Sequence, residues 1–343
     1  MASVVIIGHD VGRKRLMKII GHENTKKQLD IAISAASMRN MALPHMLFSG
    51  AAGCGKTTMA RYIAKATNSP FLAVAPNDIK DYSNVLKILD RLNHDSYDAV
   101  GNRIGKINPT VLFFDEIHNL PLKGQEILGL VMERFMIESN KPNKYFWVPF
   151  FTMVGATTLA GKLSKPFRDR FKLTFNFQPY EIEEMIKIVK YHSSRIGIKV
   201  IPSALVEIAQ RSRGTPRIAV GFVERIRDKM LSIGSVIATT LLVTSTFEEL
   251  GIDEEGFTTL ELRILKTLFE TNAPIGLDNL SIILQEDSKS IRDFAEPYLI
   301  RKGLVLVGGK GRIITEKGIQ YLENSGKADR LIKKEIDFSY ERA

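Results

Sequence analysis

An α/β domain built on a parallel sheet, followed by a helical domain and then a winged helix, is the architecture this 343-residue sequence predicts. Three observations carry the prediction. Short apolar runs alternate with helical stretches over the first half, a Gly-rich turn joins the first such run to a helix, and the chain closes with three helical stretches before a Gly-tipped pair of strand-like runs. The first run, Met46-Leu47-Phe48, leads into a turn at 50–55 and a helix over 57–66. A second run covers 71–75. The third, Val111-Leu112-Phe113-Phe114, ends in Asp115-Glu116, and the fourth, 150–154, ends in Gly155-Ala156-Thr157-Thr158. Runs that stay apolar without alternating belong to strands covered on both faces, as in parallel sheets. After Pro179 the pattern turns to amphipathic helices over 181–195, 202–213 and 216–229, with no strand runs. From Gly256, helices are expected over 259–270, 276–284 and 288–300, then strands over 304–307 and 312–315 joined by Gly308-Gly309-Lys310-Gly311.

Composition bounds the function. At about 100–200 residues per domain, two or three domains are expected. With 44% hydrophobic and 25% charged residues, the chain is neither a disordered segment nor a collagen. The single cysteine, Cys54, excludes an internal disulfide and a multi-cysteine zinc site, and no charged stretch followed by a long apolar one opens the chain, so a cytoplasmic setting is expected. The uncharged stretch 230–247 is broken by seven Ser and Thr residues and reads as buried helix plus loop rather than a membrane span. Forty-eight Lys and Arg against 38 Asp and Glu give +10, the sign that suits a phosphate backbone. Residues 254–343, however, hold 14 basic and 15 acidic side chains, so contacts there must come from patterning.

Gly50-Ala51-Ala52-Gly53-Cys54-Gly55-Lys56-Thr57 fits G-x-x-x-x-G-K-[ST] between an expected strand and an expected helix. Such a loop curls its N–H groups, and the helix N-terminus, toward the β- and γ-phosphates of a nucleotide. Lys56 adds a point charge, and Thr57 is the expected Mg²⁺ ligand; Gly53, Gly55, Lys56, Thr57 and Thr58 form the phosphate-binding set. Cys54 reads as a spacer. Asp115 can reach the Mg²⁺ shell, and Glu116 can orient or deprotonate the attacking water. His118 reads as a packing or relay residue, because no partner histidines stand at ligand spacing.

At these residues the chain resembles the AAA+ ATPases, and within them the RuvB family of Holliday junction branch-migration motors, over nearly its whole length from about Gly21. Beyond the two Walker motifs, the resemblance rests on Gly155-Ala156-Thr157-Thr158-Leu159-Ala160-Gly161, Arg168-Asp169-Arg170-Phe171, Arg213-Gly214-Thr215-Pro216-Arg217-Ile218-Ala219 and Glu296-Pro297-Tyr298-Leu299-Ile300. It implies an AAA+ P-loop domain over 1–180, a helical lid over 181–253, a winged-helix domain over 254–325 and a tail over 326–343. It further implies that Thr157 or Thr158 senses the γ-phosphate or the water. Arg170, with Arg168 as its competitor, would be an arginine finger acting on a neighbouring subunit, and Arg217 a sensor acting within its own. Ile20 and Tyr180 would border the adenine. The family's Arg-Pro before that segment is replaced here by Gly12-Arg13. On the wing, Lys310 and Arg312 are the expected DNA backbone contacts, while Val307 stands where the family has Arg. A β-hairpin over 137–148 would meet a RuvA-like junction-binding protein, with Tyr145, Phe146 and Trp147 as docking surface or as hairpin core.

The expected activity is therefore an ATP-dependent DNA translocase, Mg²⁺-dependent, working as a homohexameric ring on four-way junctions or duplex DNA. A loader ATPase that places a ring-shaped protein on DNA shares the Walker and finger plan, and a nucleotide-switched DNA-binding regulator shares the winged helix.

Overall fold

The computed structural model of the chain describes residues 19–79, 81–92, 96–97, 103–104, 108–138 and 145–326. Gly12 and Arg13 lie outside them, as does most of the 326–343 tail. The chain divides into two compact units between Arg227 and Asp228.

The first unit is a parallel sheet covered on both faces. Its strands of three or more residues are β1 (Met46–Gly50), β2 (Phe71–Val74), β3 (Thr110–Phe114), β4 (Met136–Glu138), β5 (Tyr145–Trp147), β6 (Phe151–Thr157) and β7 (Leu173–Phe177). Five of them pair in parallel in the order β2-β3-β6-β1-β7. Successive strand residues point to opposite faces, so the inner strands β3, β6 and β1 each feed two cores. Met46 and Phe48 of β1, Val111 and Phe113 of β3, and Val154 and Ala156 of β6 pack in one core with Leu29, Met59 and Ile63. Leu47, Leu112, Phe114, Phe151 and Met153 pack in the other, with Val85, Leu128 and Val131.

The helices of this unit begin with α1 (Glu23–Arg39), α2 (Lys56–Ala66), α3 (Tyr82–Leu89), α4 (Leu122–Arg134) and α5 (Lys165–Arg168). Met59, Ala60, Ile63 and Ala64 place the apolar stripe of α2 on the sheet. A capping box starts α3: Asn84 N–H donates to Asp81 Oδ1 at 3.1 Å, and Asp81 N–H to Asn84 Oδ1 at 3.2 Å. Then come α6 (Ile182–Arg195), α7 (Pro202–Arg211) and α8 (Pro216–Ser232), the last continuing past the division at Arg227, all close to the expected spans.

The sequence reading misses β7 and stops the fourth run early, since β6 continues to Thr157. The cause is burial: β7 is an edge strand, and its exposed Thr174 and Asn176 alternate with buried Phe175 and Phe177 in place of a continuous apolar run. Two-residue strands, Lys199–Val200 and Ile237–Ala238, also lie in the region read as purely helical. The expected hairpin over 137–148 is present as antiparallel β4 and β5, paired Met136↔Trp147, Ile137↔Phe146 and Glu138↔Tyr145.

In the second unit, α9 (Thr240–Glu249) precedes the winged helix. That module comprises α10 (Thr259–Thr271), α11 (Leu277–Leu284), α12 (Ser288–Ser290), α13 (Glu296–Arg301), β8 (Val305–Gly308), β9 (Gly311–Ile314) and α14 (Glu316–Asn324). The helix expected over 288–300 is interrupted by a π turn at Ile291–Ala295, and α14 is an element the sequence reading does not include. β8 and β9 pair with Val307 opposite Arg312 and Gly308 opposite Gly311. Ile275 adds a bridge to Arg312, and Leu265, Leu280, Leu299, Val305 and Leu322 share one core. No helix among the described residues is long and apolar enough to cross a membrane.

One buried polar group ties the first unit together. His45, just before β1, has Nε2 at 3.1 Å from Met132 O at the end of α4, and its Nδ1 accepts from Met153 N–H of β6 at 2.9 Å. The ring is therefore neutral, and burial pushes its pKa down to about 4 from an ordinary 6.5. A depressed folded value means that stability is fully present above pH 6.5 and is lost as pH falls toward about 4. This ring alone is expected to remove about 3 kcal/mol across that window. Urea unfolding at neutral pH and near pH 4 checks it: His45→Gln should flatten that part of the slope, and an unchanged slope would contradict the assignment.

Candidate active site

The C-terminal ends of β3, β6 and β1 lie side by side because those strands are adjacent and parallel. The loop after β1, the acids after β3 and the start of α8 line a cleft of about 290 Å³, formed by Ala52, Gly53, Gly55, Lys56, Thr57, Thr58, Asp115, Glu116, Pro216, Arg217 and Val220. The Gly-rich loop leaves β1 through residues in the left-handed half of backbone space, with φ of 134° at Gly50, 79° at Gly53 and 93° at Gly55. A side chain at Gly50 would overlap the Phe177 carbonyl, and one at Gly55 would come within 2.8 Å of the Tyr180 hydroxyl. Lys56, only 6% exposed, folds back to donate to Gly50 O at 2.7 Å and Ala51 O at 2.9 Å. Burial pulls its ammonium below the ordinary lysine value, while Glu116 and Asp115 act in the opposite direction.

Glu116 sits at φ 47°, a region costly for a residue with a side chain, and its N–H donates to Asp115 Oδ1 at 3.2 Å. Its carboxylate is held from β6: Oε2 accepts from Thr158 N–H at 3.1 Å and from the Thr158 hydroxyl at 3.0 Å. His118 Nδ1 lies 3.1 Å from the same oxygen and 2.9 Å from Thr157 Oγ1. Thr157 is buried, and its hydroxyl also accepts from Leu159 N–H. Of the two candidate sensors, Thr158 is the one bonded to the Glu116 carboxylate, and Thr157 the one bonded to His118.

On the other side of the loop, a side chain at Gly21 would run into the Tyr180 ring, which places the segment containing Ile20 against Tyr180. Tyr180 N–H donates to Gly214 O at 2.9 Å, tying the end of β7 to the turn before α8. Burial pushes the Tyr180 hydroxyl well above the ordinary tyrosine value, so it stays protonated. His22 is a site residue the sequence reading does not name: Nε2 lies 3.1 Å from Cys54 O, and its ring meets Tyr180 edge-on at 4.4 Å. Its proximity in sequence to Ile20 and Gly21 was the available signal.

Arg170 lies elsewhere, on the wall of a separate cavity of about 880 Å³ with Met41, Leu43, Phe135 and Phe150. It donates to Pro166 O at 2.6 Å and to Glu133 Oε2 at 3.3 Å; its ion pair is with Glu133, not with the adjacent Asp169. Its Nε is buried without a hydrogen-bond partner, whereas Arg168 is exposed.

The wing separates its two basic residues. Lys310 is exposed at the tip. Arg312 turns inward, donating from Nε to Glu296 Oε1 at 2.6 Å and from Nη2 to Oε2 at 3.2 Å. The Glu296 side chain is 3% exposed and that of Arg312 12%. The charge of Arg312 is thus paired with a buried carboxylate that would otherwise stand alone, whereas that of Lys310 faces solvent. On the hairpin, Trp147 is 79% exposed, while Ile137 and Val148 are buried.

Comparison with known proteins gives concordant results across the chain. The model for the Holliday junction DNA helicase RuvB P-loop domain matches residues 12–177, that for the RuvB AAA lid domain 180–253, and that for the RuvB C-terminal winged helix domain 254–323. The Holliday junction branch migration complex subunit RuvB of Streptococcus uberis is 34% identical over 331 residues, covering 94% of this chain and 95% of the relative. The same-named subunit of Streptococcus equi subsp. equi is 35% identical over 315 residues, covering 90% of each. Among solved structures, the Thermotoga maritima RuvB Holliday junction branch migration motor matches at TM-score 0.74 and 34% identity, over 89% of this chain and 95% of that one.

Truncating Arg312→Ala leaves Glu296 buried and unpaired, and is expected to lower stability by roughly 3 kcal/mol. Lys310→Ala should change it by less than about 0.5 kcal/mol. Urea midpoints of the two variants check this, and equal midpoints would contradict the inward ion pair.

Proposed function

The chain belongs to the RuvB family, and on that premise we propose that it hydrolyses ATP to drive branch migration of Holliday junctions. The observation that carries the reading is the meeting of Lys56, Thr57, Asp115, Glu116 and Arg217 around one cleft, on a chain related throughout to branch-migration subunits. The loader and regulator readings are not favoured by those relatives.

In this reading the loop N–H groups and Lys56 take the β- and γ-phosphates, and Lys56 exchanges its loop carbonyls for phosphate oxygens. Gly53, Gly55 and Thr58 line the same phosphate side, and Ile20 and Tyr180 border the adenine. Mg²⁺ suits the donors present. Among the described residues no group of three His, Cys, Asp or Glu side chains gathers to hold a metal, whereas Thr57 and Asp115 share the cleft. Two protein oxygens completed by substrate phosphates and water is the manner in which Mg²⁺ is bound at nucleotide sites; when bound, it would neutralise charge building on the phosphates. Glu116 orients and deprotonates the attacking water, and Thr158 holds its carboxylate and acts as sensor. Arg217, at the first turn of α8, reads the γ-phosphate in its own subunit.

Arg170 does not line its own chain's cleft, which supports its reading as a finger for the next subunit. A finger in trans needs a head-to-tail assembly, which closes as a ring; we take that ring to be a homohexamer. DNA would be met through Lys310 by backbone contacts, which depend on salt and little on sequence. The exposed Trp147 supports the docking reading of the hairpin, toward a RuvA-like junction-binding protein. The domain limits proposed are 1–180, 181–253 and 254–325.

Lys56→Ala is expected to reduce steady-state ATP turnover by at least about a hundredfold by removing a phosphate cation from the transition state, and near-normal turnover would remove the loop from the mechanism. Arg170→Ala should abolish turnover while leaving nucleotide affinity within about twofold. Mixing the two inactive variants should restore part of the activity, because some interfaces then pair an intact Lys56 with an intact Arg170. Absence of recovery in mixed assemblies would place the arginine in cis.

A further inference from the structure

His22 touches both halves of the nucleotide cleft. It occupies the N-cap position of α1 in a left-handed conformation, φ 52°, yet makes no side-chain hydrogen bond to its own helix. Its ring instead packs edge-on against Phe177 at 4.8 Å and Tyr180 at 4.4 Å, and its Nε2 lies 3.1 Å from the carbonyl oxygen of Cys54 in the phosphate loop. A carbonyl can only accept, so Nε2 carries the proton and donates. Burial favours the neutral ring, the Cys54 bond and Glu184 of α6 oppose that, and Lys26 of α1 reinforces it.

The bond has a consequence in the loop. The Cys54–Gly55 peptide is trans, so its C=O and N–H point in opposite directions. A carbonyl fixed toward His22 turns the Gly55 N–H the other way, and Gly55 lines the cleft beside Lys56. Gly55, at φ 93°, has a wide range of backbone angles open to it, so without a tether this peptide can rotate.

We propose that His22 is a positioning residue for the nucleotide: it latches the Cys54–Gly55 peptide so that the Gly55 N–H faces the phosphates, and it braces that latch on the Tyr180 wall of the base side. This rests on the reading of the cleft as a nucleotide site. The latch acts on binding rather than on the chemical step, so its loss moves affinity and KM and leaves kcat in place.

The test uses the full chain, a fluorescent ADP as probe, and steady-state ATP turnover. His22→Phe keeps the ring packing and removes the donor; His22→Gln restores an N–H donor on a flexible side chain. Kd and KM of His22→Phe are expected to rise about three- to tenfold, the loss of one hydrogen bond, with kcat within about twofold and melting temperature close to that of the parent. His22→Gln should recover most of the affinity. An affinity unchanged in His22→Phe overturns the proposal, and so does a His22→Gln variant as weak as His22→Phe with both melting early, which would make the residue structural. If the parent chain itself fails to bind the probe, the nucleotide-site reading falls instead.

Discussion

The chain must leave a buried strand, turn tightly and enter a helix with its N–H groups facing one cleft, and this backbone constraint organises the first unit. β1 is flanked on both sides, by β6 and β7, so the loop after it has no room to drift. Gly50 passes so close to the Phe177 carbonyl that a side chain there would overlap it, and Gly53 has Arg217 and Thr215 within about a contact distance of where a side chain would start. The glycines are therefore required twice, once for their φ angles and once for the space around them. The same crowding fixes where Tyr180, Thr215 and Arg217 stand, so the phosphate loop also sets the entry to α8.

The parallel order places the chemistry. With β6 between β1 and β3, the threonines that end β6 lie beside both the loop and the acids that end β3. Glu116 is held in strained backbone by Asp115 and gripped at its carboxylate by Thr158. In the role proposed for it, a carboxylate held this way is oriented before substrate arrives, which is how preorganisation lowers the cost of reaching the transition state. His118 and Thr157 extend that hold into the core, where Thr157 is fully buried.

How much of this was legible in the sequence depends on whether the relevant partner was local. The phosphate loop and Asp115-Glu116 were legible because each is set by a run of neighbouring residues, and the winged helix by its order of helices and Gly turn. β7 was hidden because edge exposure gives it an alternating pattern. Arg312 looked available because its partner, Glu296, sits sixteen residues away on another element, and only the fold shows the carboxylate beneath it. The role of His22 was invisible for a related reason: its acceptor is a main-chain oxygen, which leaves no mark in side-chain identity. The Arg170 partner was equally hidden, because Glu133 comes from α4, 37 residues away in the chain.

The central claim is that ATP hydrolysis by this chain moves branched DNA. The most direct measurement follows a labelled synthetic four-way junction with heterologous arms, incubated with the purified chain, ATP and Mg²⁺, in the presence and absence of a junction-binding protein. The account predicts conversion of the junction to forked duplexes, with ATP turnover rising on junction addition and no conversion when a non-hydrolysable analogue replaces ATP. A junction left intact under all these conditions, with turnover indifferent to it, would contradict the account.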